Sequence, residues 1–246
     1  MSSETAERRY ADFYRYQASS PTLRQIYVDV YGDDYPDELQ PFGFVTRTDL
    51  SRIATLVGPL DGGLLVDVGC GRGGPGTSVA LTCGARLLGL DVVPAAVEGA
   101  PALAASLGLP TAEFRTGSFT GTGVPSGAAD AVMSIDALWM VWNKPAALTE
   151  IHRILRPGGR FVFTTWEPSY LDHARLLAKA GFEVSVREET PDWLDRQGAV
   201  YARVLAATET LERELGPGAE VIFAEARDTP AVLGGTPRLL IAAHKP

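Results

Sequence analysis

Cysteine is scarce in this chain of 246 residues, where only Cys70 and Cys83 occur. Two cysteines make neither a disulfide framework nor a four-ligand zinc site, so both are expected as reduced thiols and no metal is expected. Runs of Lys or Arg are absent and the formal net charge is −8, a surface that repels phosphate backbones. No nucleic-acid partner is therefore expected. No apolar stretch is long enough to cross a bilayer. The N-terminus, MSSETAERRY, is polar and charged, without an apolar signal region. These absences predict a soluble, cytoplasmic protein with no membrane partner. Internal repeats and low-complexity tracts are also missing. What remains is an ordinary globular balance, 46% hydrophobic and 21% charged. The length suits one α/β domain with a modest elaboration, or two small domains.

Residues 1–40 are rich in Tyr, Asp and Arg, and helices are expected over Glu4–Gln17 and Pro21–Val30. YGDDYPDELQPFG (31–43) is turn-rich. A further helix is expected over Thr48–Val57, with Thr48 as N-cap. From Leu64 the pattern changes to alternating strand and helix. LLVDV (64–68) is a short apolar run ending at glycines, as a buried parallel strand would. Strands are expected again at 85–92, 111–117, 129–138 and 161–166, with helices at 76–83, 94–108 and 144–155 and a turn at RPGGR (156–160). A helix at 171–182, a strand at 182–189, an amphipathic helical stretch at 191–227 and a last strand at 237–245 complete the chain. Such alternation predicts a doubly wound, Rossmann-like sheet with right-handed crossovers.

GCGRGG (69–74) lies between a strand and a helix and matches G-x-G-x-x-G. Asp91 ends the next strand, 20 residues after Gly71, where a carboxylate can grip ribose hydroxyls. On these two facts NAD and S-adenosylmethionine (SAM) both fit. Asp67, two residues before Gly69, separates them. A dinucleotide would lay its pyrophosphate on this turn, against that carboxylate. SAM has no phosphate and carries an ammonium and a sulfonium, both of which a carboxylate favours.

LLVDVGCGRGGPG resembles the first motif of the class I SAM-dependent methyltransferases, and GLDVV resembles the second, whose acid binds the ribose diol. ADAVMSIDAL resembles the fourth strand of that family, and EIHRILRPGGRFVFTTW the helix, Pro-Gly-Gly turn and fifth strand that follow. The matches fall in family order over residues 60–167, and the flavour is that of small-molecule enzymes of ubiquinone/menaquinone and natural-product type, actinobacterial in composition. The resemblance implies a seven-stranded α/β sheet whose last strand is antiparallel. It implies an N-terminal helical lid segment at 1–58, a SAM-binding core at 59–246, and a helical insertion at about 191–230 between the sixth and seventh strands.

It also implies the cofactor set Asp67, Gly69, Cys70, Gly71, Asp91, Val92, Ser118, Phe119, Ser134 and Asp136. Two departures stand out. Many relatives end the third-strand motif in Asp, where this chain has Ser118; a hydroxyl still accepts one bond. Relatives often carry His after the fourth strand, where this chain has Trp139, which removes the usual general base. Asp67 and Asp136 could each be capping carboxylates instead. Trp139, with Tyr16, Phe44, Trp193 and Tyr201, is expected around the acceptor, although core packing is the plainer role for Trp193. Of three histidines, His152 and His244 are expected to be incidental. His173 is either an exposed helix-start residue or the general base for a nucleophile.

The expected reaction is methyl transfer to an O, N or C nucleophile of a small molecule in secondary metabolism, driven by alignment and exclusion of water. A non-catalytic SAM-binding regulator is the alternative from another class, and an NAD(P)-dependent oxidoreductase the weaker one. The expected partner is the small-molecule acceptor, and a homodimer is compatible with the sequence.

Overall fold

A computed structural model of the chain describes residues 3–246, with side chains from Tyr10 onward, so the first residues of the 1–58 segment lie outside the described part. The N-terminal helices are α1 (Ser3–Tyr16), α2 (Pro21–Tyr31) and α3 (Arg47–Val57). There follow β1 (Leu64–Val68), α4 (Gly74–Cys83), β2 (Arg86–Asp91), α5 (Pro94–Glu98), α6 (Ala100–Ser106), β3 (Glu113–Thr116) and β4 (Ala129–Ser134). Next come α7 (Lys144–Ile154), β5 (Leu155–Trp166), α8 (His173–Lys179) and β6 (Glu183–Glu189). The chain closes with α9 (Trp193–Ala206), α10 (Thr208–Leu215), α11 (Ala219–Asp228), α12 (Pro230–Leu233) and β7 (Arg238–His244).

The seven strands form one sheet in the order β3-β2-β1-β4-β5-β7-β6. All pairs are parallel except β7, which runs antiparallel to β5 and β6. Strand order reverses between β1 and β4, and such a switch point opens a crevice outside the carboxyl ends of the strands. The sheet and its antiparallel last strand are those expected, as are the helices inserted between β6 and β7.

Local boundaries differ where turn chemistry intervenes. The N-cap of α3 is Thr46, not Thr48. Thr46 and Asp49 form a reciprocal capping box, while the Thr48 hydroxyl donates to Asp34. The helix expected over 94–108 is broken at Gly99, because Pro101 opens α6 and cannot continue α5. The fourth strand stops at Ser134, since Asp136 adopts φ +51° and turns the chain. Conversely RPGGR is absorbed into β5 as an irregularity, where pairing with β4 slips between Ala129 and Ala131.

Three apolar clusters hold the molecule. On one face of the sheet Leu148 and Ile151 of α7 pack with Phe161 and Phe163. On the other, Ile53 and Val57 of α3 pack with Val79 of α4 and with Met133. The third sits over the carboxyl ends and joins Phe13 of α1 and Tyr27 of α2 to Tyr201 of α9 and Ile222 of α11. Full burial of such a side chain contributes about 1.5–3 kcal/mol. The first two helices and the insertion thus share a core, whereas α3 packs on the sheet.

A buried charge cluster ties these layers together. Arg238, at the start of β7, is 1% exposed. Its guanidinium donates to Asp136 at 3.0 Å and to Asp49 of α3 at 2.8 Å. Burial works against its charge, but Asp136 and then Asp49 outweigh that and hold it protonated. Among the described residues no helix is long and apolar enough to cross a membrane.

Candidate functional site

The glycine turn follows from β1 reaching the sheet edge at Val68. Gly69 and Gly71 take φ +80° and +54°, which side chains rarely adopt. A Cβ on Gly71 would also stand 3.0 Å from the Tyr14 hydroxyl of α1. The turn therefore lets another group approach its backbone closely. The crevice above it is lined by Tyr14, Phe42, Asp67, Gly69, Gly71 and Arg72, and it encloses about 30 Å³ in this conformation. A larger cleft of about 340 Å³ lies at the opposite end of β5 and β7, beside Arg160 and His244. That cleft has neither the glycine turn nor a buried carboxyl, so it is not the candidate.

Two acids converge on the turn. Asp91 accepts the Gly71 N–H at 2.8 Å and the Val93 N–H at 2.9 Å. Burial raises its pKa, and those backbone donors partly counter the rise. Asp67 is 2% exposed, and its Oδ1 has no hydrogen-bond partner among the described residues. Burial, and then the charge of Asp91, push its carboxyl up to about 8. Neither acid forms an ion pair among those found in the described residues. Two buried carboxyls without a cation are costly for the fold alone.

The remaining expected cofactor residues divide into two groups. Cys70 is buried in the turn, its thiol pKa raised chiefly by burial. Phe119 is buried, and its ring lies 3.6 Å from where a Cβ on Gly69 would be. Val92 and Ser118 are half-buried, at the ends of β2 and β3. Ser134 is fully buried at the end of β4, with Oγ unpartnered among the described residues. Asp136 is engaged elsewhere. One carboxylate oxygen takes Arg238 and the Thr164 hydroxyl, and the other takes Arg238 and the Phe44 N–H. It anchors the 41–46 loop instead of facing the turn with free lone pairs.

The acceptor residues are only partly brought together. Phe44 lies edge-on to Trp166 at 5.8 Å and to Tyr201 at 5.7 Å, and Trp139 lies edge-on to Trp166 at 6.0 Å. Gln197 links Trp166 to Tyr201, accepting from the indole and donating to the phenol. Trp193 is in the third core with its indole N–H on Glu189, the packing role. Tyr16 is 41% exposed at the end of α1, outside this cluster. Trp166 and Gln197 had no signal in the sequence: each needs the sheet and the insertion placed before its position means anything.

His173 is not an exposed helix-start residue. It is fully buried against Phe163, and Nδ1 lies 2.8 Å from Glu167. Glu167 also accepts the His173 N–H and is paired with Arg187. Burial lowers the imidazole pKa, against the pull of Glu167. Nε2 has no partner among the described residues. His152 is half-buried, its ring edge-on to Phe182.

Tyr14 and Phe42 line the crevice without belonging to any motif, and Arg72 lines it from within the glycine motif. Aromatic richness marks the first two.

Comparison with known proteins agrees with this geometry. A family model described as a methyltransferase domain matches residues 66–163, from β1 through the middle of β5. A sterol 24-C-methyltransferase of Eremothecium gossypii is 26% identical over 77% of this chain, which spans 60% of that relative's length. The [4+2]-cyclase SpnF superposes with a TM-score of 0.74 at 21% identity, covering 100% of this chain and 97% of its own. A geranyl diphosphate methyltransferase solved in complex with SAM superposes with a TM-score of 0.62 at 22% identity, covering 82% and 86%.

Proposed function

We propose that this chain, whose residues 66–163 match a methyltransferase domain model, is an enzyme that moves a methyl group from SAM to an oxygen, nitrogen or carbon nucleophile of a small molecule, in secondary metabolism. The observation that carries this reading is the pair of buried acids at the glycine turn, Asp67 and Asp91, with no cation to neutralise them. A pyrophosphate would add charge of the same sign. A ligand bearing an ammonium and a sulfonium supplies the opposite one.

The residues present fit such a donor. Asp67 has a free oxygen for a cationic or N–H group. Asp91 is placed for a diol, with Gly71 N–H steadying its carboxylate. Phe119 offers an apolar face beside the turn. When bound, SAM supplies a sulfonium that is already a good leaving group, so methyl passes to the acceptor and S-adenosylhomocysteine departs. The protein's own work is alignment and exclusion of water. The small crevice volume supports a lid: Tyr14 and Phe42 must withdraw to admit a nucleoside and then close over it. The rings of Phe44, Trp166, Tyr201 and Trp139 form one cluster, which we read as the wall for an apolar acceptor.

Calorimetry on the full chain tests the cofactor. S-adenosylhomocysteine is expected to bind and NADH is not. NADH binding without S-adenosylhomocysteine binding sinks the reading. The same fold serves the [4+2]-cyclase SpnF, so binding alone does not establish the reaction. Methyl transfer onto a library of phenols and other small nucleophiles separates an enzyme from a SAM-binding regulator. Size-exclusion chromatography addresses the homodimer.

One observation favours a base in the reaction. Glu167 holds Nδ1 of His173 and leaves Nε2 as a lone-pair acceptor, the arrangement of an oriented general base. His173 is fully buried against Phe163, so an acceptor reaches Nε2 only if the segment after β5 moves aside. His173→Ala is then expected to slow an O–H acceptor by roughly 10²-fold. An unimpaired variant leaves alignment as the whole mechanism.

A further inference from the structure

We propose that Ser134, Thr165 and His173 form a site for the neutral hydroxyl of an otherwise apolar small molecule. As an account of the acceptor's chemistry, it rests on the methyltransferase reading above. Ser134 Oγ, Thr165 Oγ1 and His173 Nε2 are buried and have no hydrogen-bond partner among the described residues. All three residues are fully buried. Strand register brings them together. Ser134 of β4 pairs with Phe163 of β5, and Thr165 stands two residues further along β5, so both hydroxyls share the face of Phe163. That is the face covered by α7. His173 touches Phe163, two residues before Thr165, with its ring, and Glu167, two residues after it, with Nδ1. The imidazole therefore lies across Thr165.

Unpaired polar atoms inside an apolar layer destabilise a fold, and three on one face call for a ligand. Their surroundings are apolar: Leu138, Phe163 and Leu177 are fully buried in the same cluster. The donor set states what kind of group fits. Glu167 holds the Nδ1 proton, so Nε2 offers a lone pair, and each hydroxyl can donate or accept. A ligand hydroxyl donates to Nε2 and accepts from Ser134 or Thr165. A carbonyl or ether has no proton to give. Charge is already settled around the three atoms. The Glu167 carboxylate is taken by Arg187 and His173, and Asp172 caps α8. Lys144, whose charge acts on His173, is spent on the Trp139 and Val141 carbonyls. A charged group would therefore enter without a counter-charge. The cover is the irregular segment 168–172 between β5 and α8, which leaves Tyr170 89% exposed.

Phenol and toluene match in shape and differ in the hydroxyl, so the pair is titrated onto the full chain with isotope-labelled histidines. Phenol is expected to bind about tenfold more tightly than toluene, the effect of roughly one hydrogen bond, and to move the His173 Nε2 resonance. Ser134→Ala combined with Thr165→Val is expected to bring the two affinities within about twofold of each other. The same double variant should melt no lower than the wild type, since neither hydroxyl has a partner among the described residues. Equal affinity for phenol and toluene in the wild type overturns the proposal. So does phenol binding that leaves Nε2 unmoved, or no phenol binding at all, which would mean that the three atoms hold water only. A lower melting temperature in the double variant overturns it too, because the hydroxyls then serve the fold. If phenol behaves as expected and S-adenosylhomocysteine does not bind, the hydroxyl site stands and the methyltransferase reading falls.

Discussion

Two pairs of buried aspartates lie near the carboxyl ends of the strands, and they have opposite fates. Asp49 and Asp136 clasp Arg238, which gives each an ion pair and joins α3, the end of β4 and the start of β7. Among the described residues Asp67 and Asp91 have no such cation, and burial raises the pKa of both. The first pair is internally satisfied and serves the fold. The second is left with an electrostatic debt that a bound cation can settle, and it marks the proposed ligand site. Burial and residue type are the same in both pairs; the partner makes the difference.

The comparison is broken most severely by removing the shared cation. Arg238→Met leaves two buried carboxylates facing an apolar side chain and frees the Phe44 loop anchor. A loss of about 3–5 kcal/mol is expected, as when one partner of a buried ion pair is deleted. Urea denaturation of the full chain measures it, and a loss under about 1 kcal/mol would show that the cluster relaxes through water.

Asp67→Asn sharpens the comparison from the other side. The folded carboxyl titrates at about 8, against about 3.9 in an unfolded chain. Folded protein therefore keeps a proton that unfolded protein has released. Wild-type stability from this group is fully present below pH 4, declines as pH rises to 8, and is level above that. The Asn variant escapes the decline. Without ligand it is expected to be more stable at pH 8, by up to about 5 kcal/mol for a shift of about four pKa units, and no more stable at pH 4. The same change should weaken S-adenosylhomocysteine, whose ammonium loses its carboxylate. A variant that gains no stability at pH 8 would mean that Asp67 is solvated or paired in solution.

Much of this was legible in the sequence because it depends on short-range rules. Strand β1 was readable to the residue, since a five-residue apolar run ending at glycine has few other uses. The glycine turn and Asp91 were readable from spacing, because a strand–turn–helix unit fixes how far apart its ligands stand. Local chemistry also misled. Pro94 and the alanines after it suggested one helix, where Pro101 divides it into α5 and α6. Thr48 carries a capping side chain, yet Thr46 has Asp49 at the right offset.

The sequence by itself determined the sheet, the crevice and the two acids above it, because backbone geometry and hydrophobic period act over a few residues. Only the tertiary structure decided which aspartates are spent. Asp136 looks as free as Asp67 in the sequence, and its partner lies 102 positions away in β7. His173 became a buried imidazole on Glu167 only once the loop after β5 folded back. Charge compensation is a sum over neighbours in space, and a linear pattern does not contain that sum.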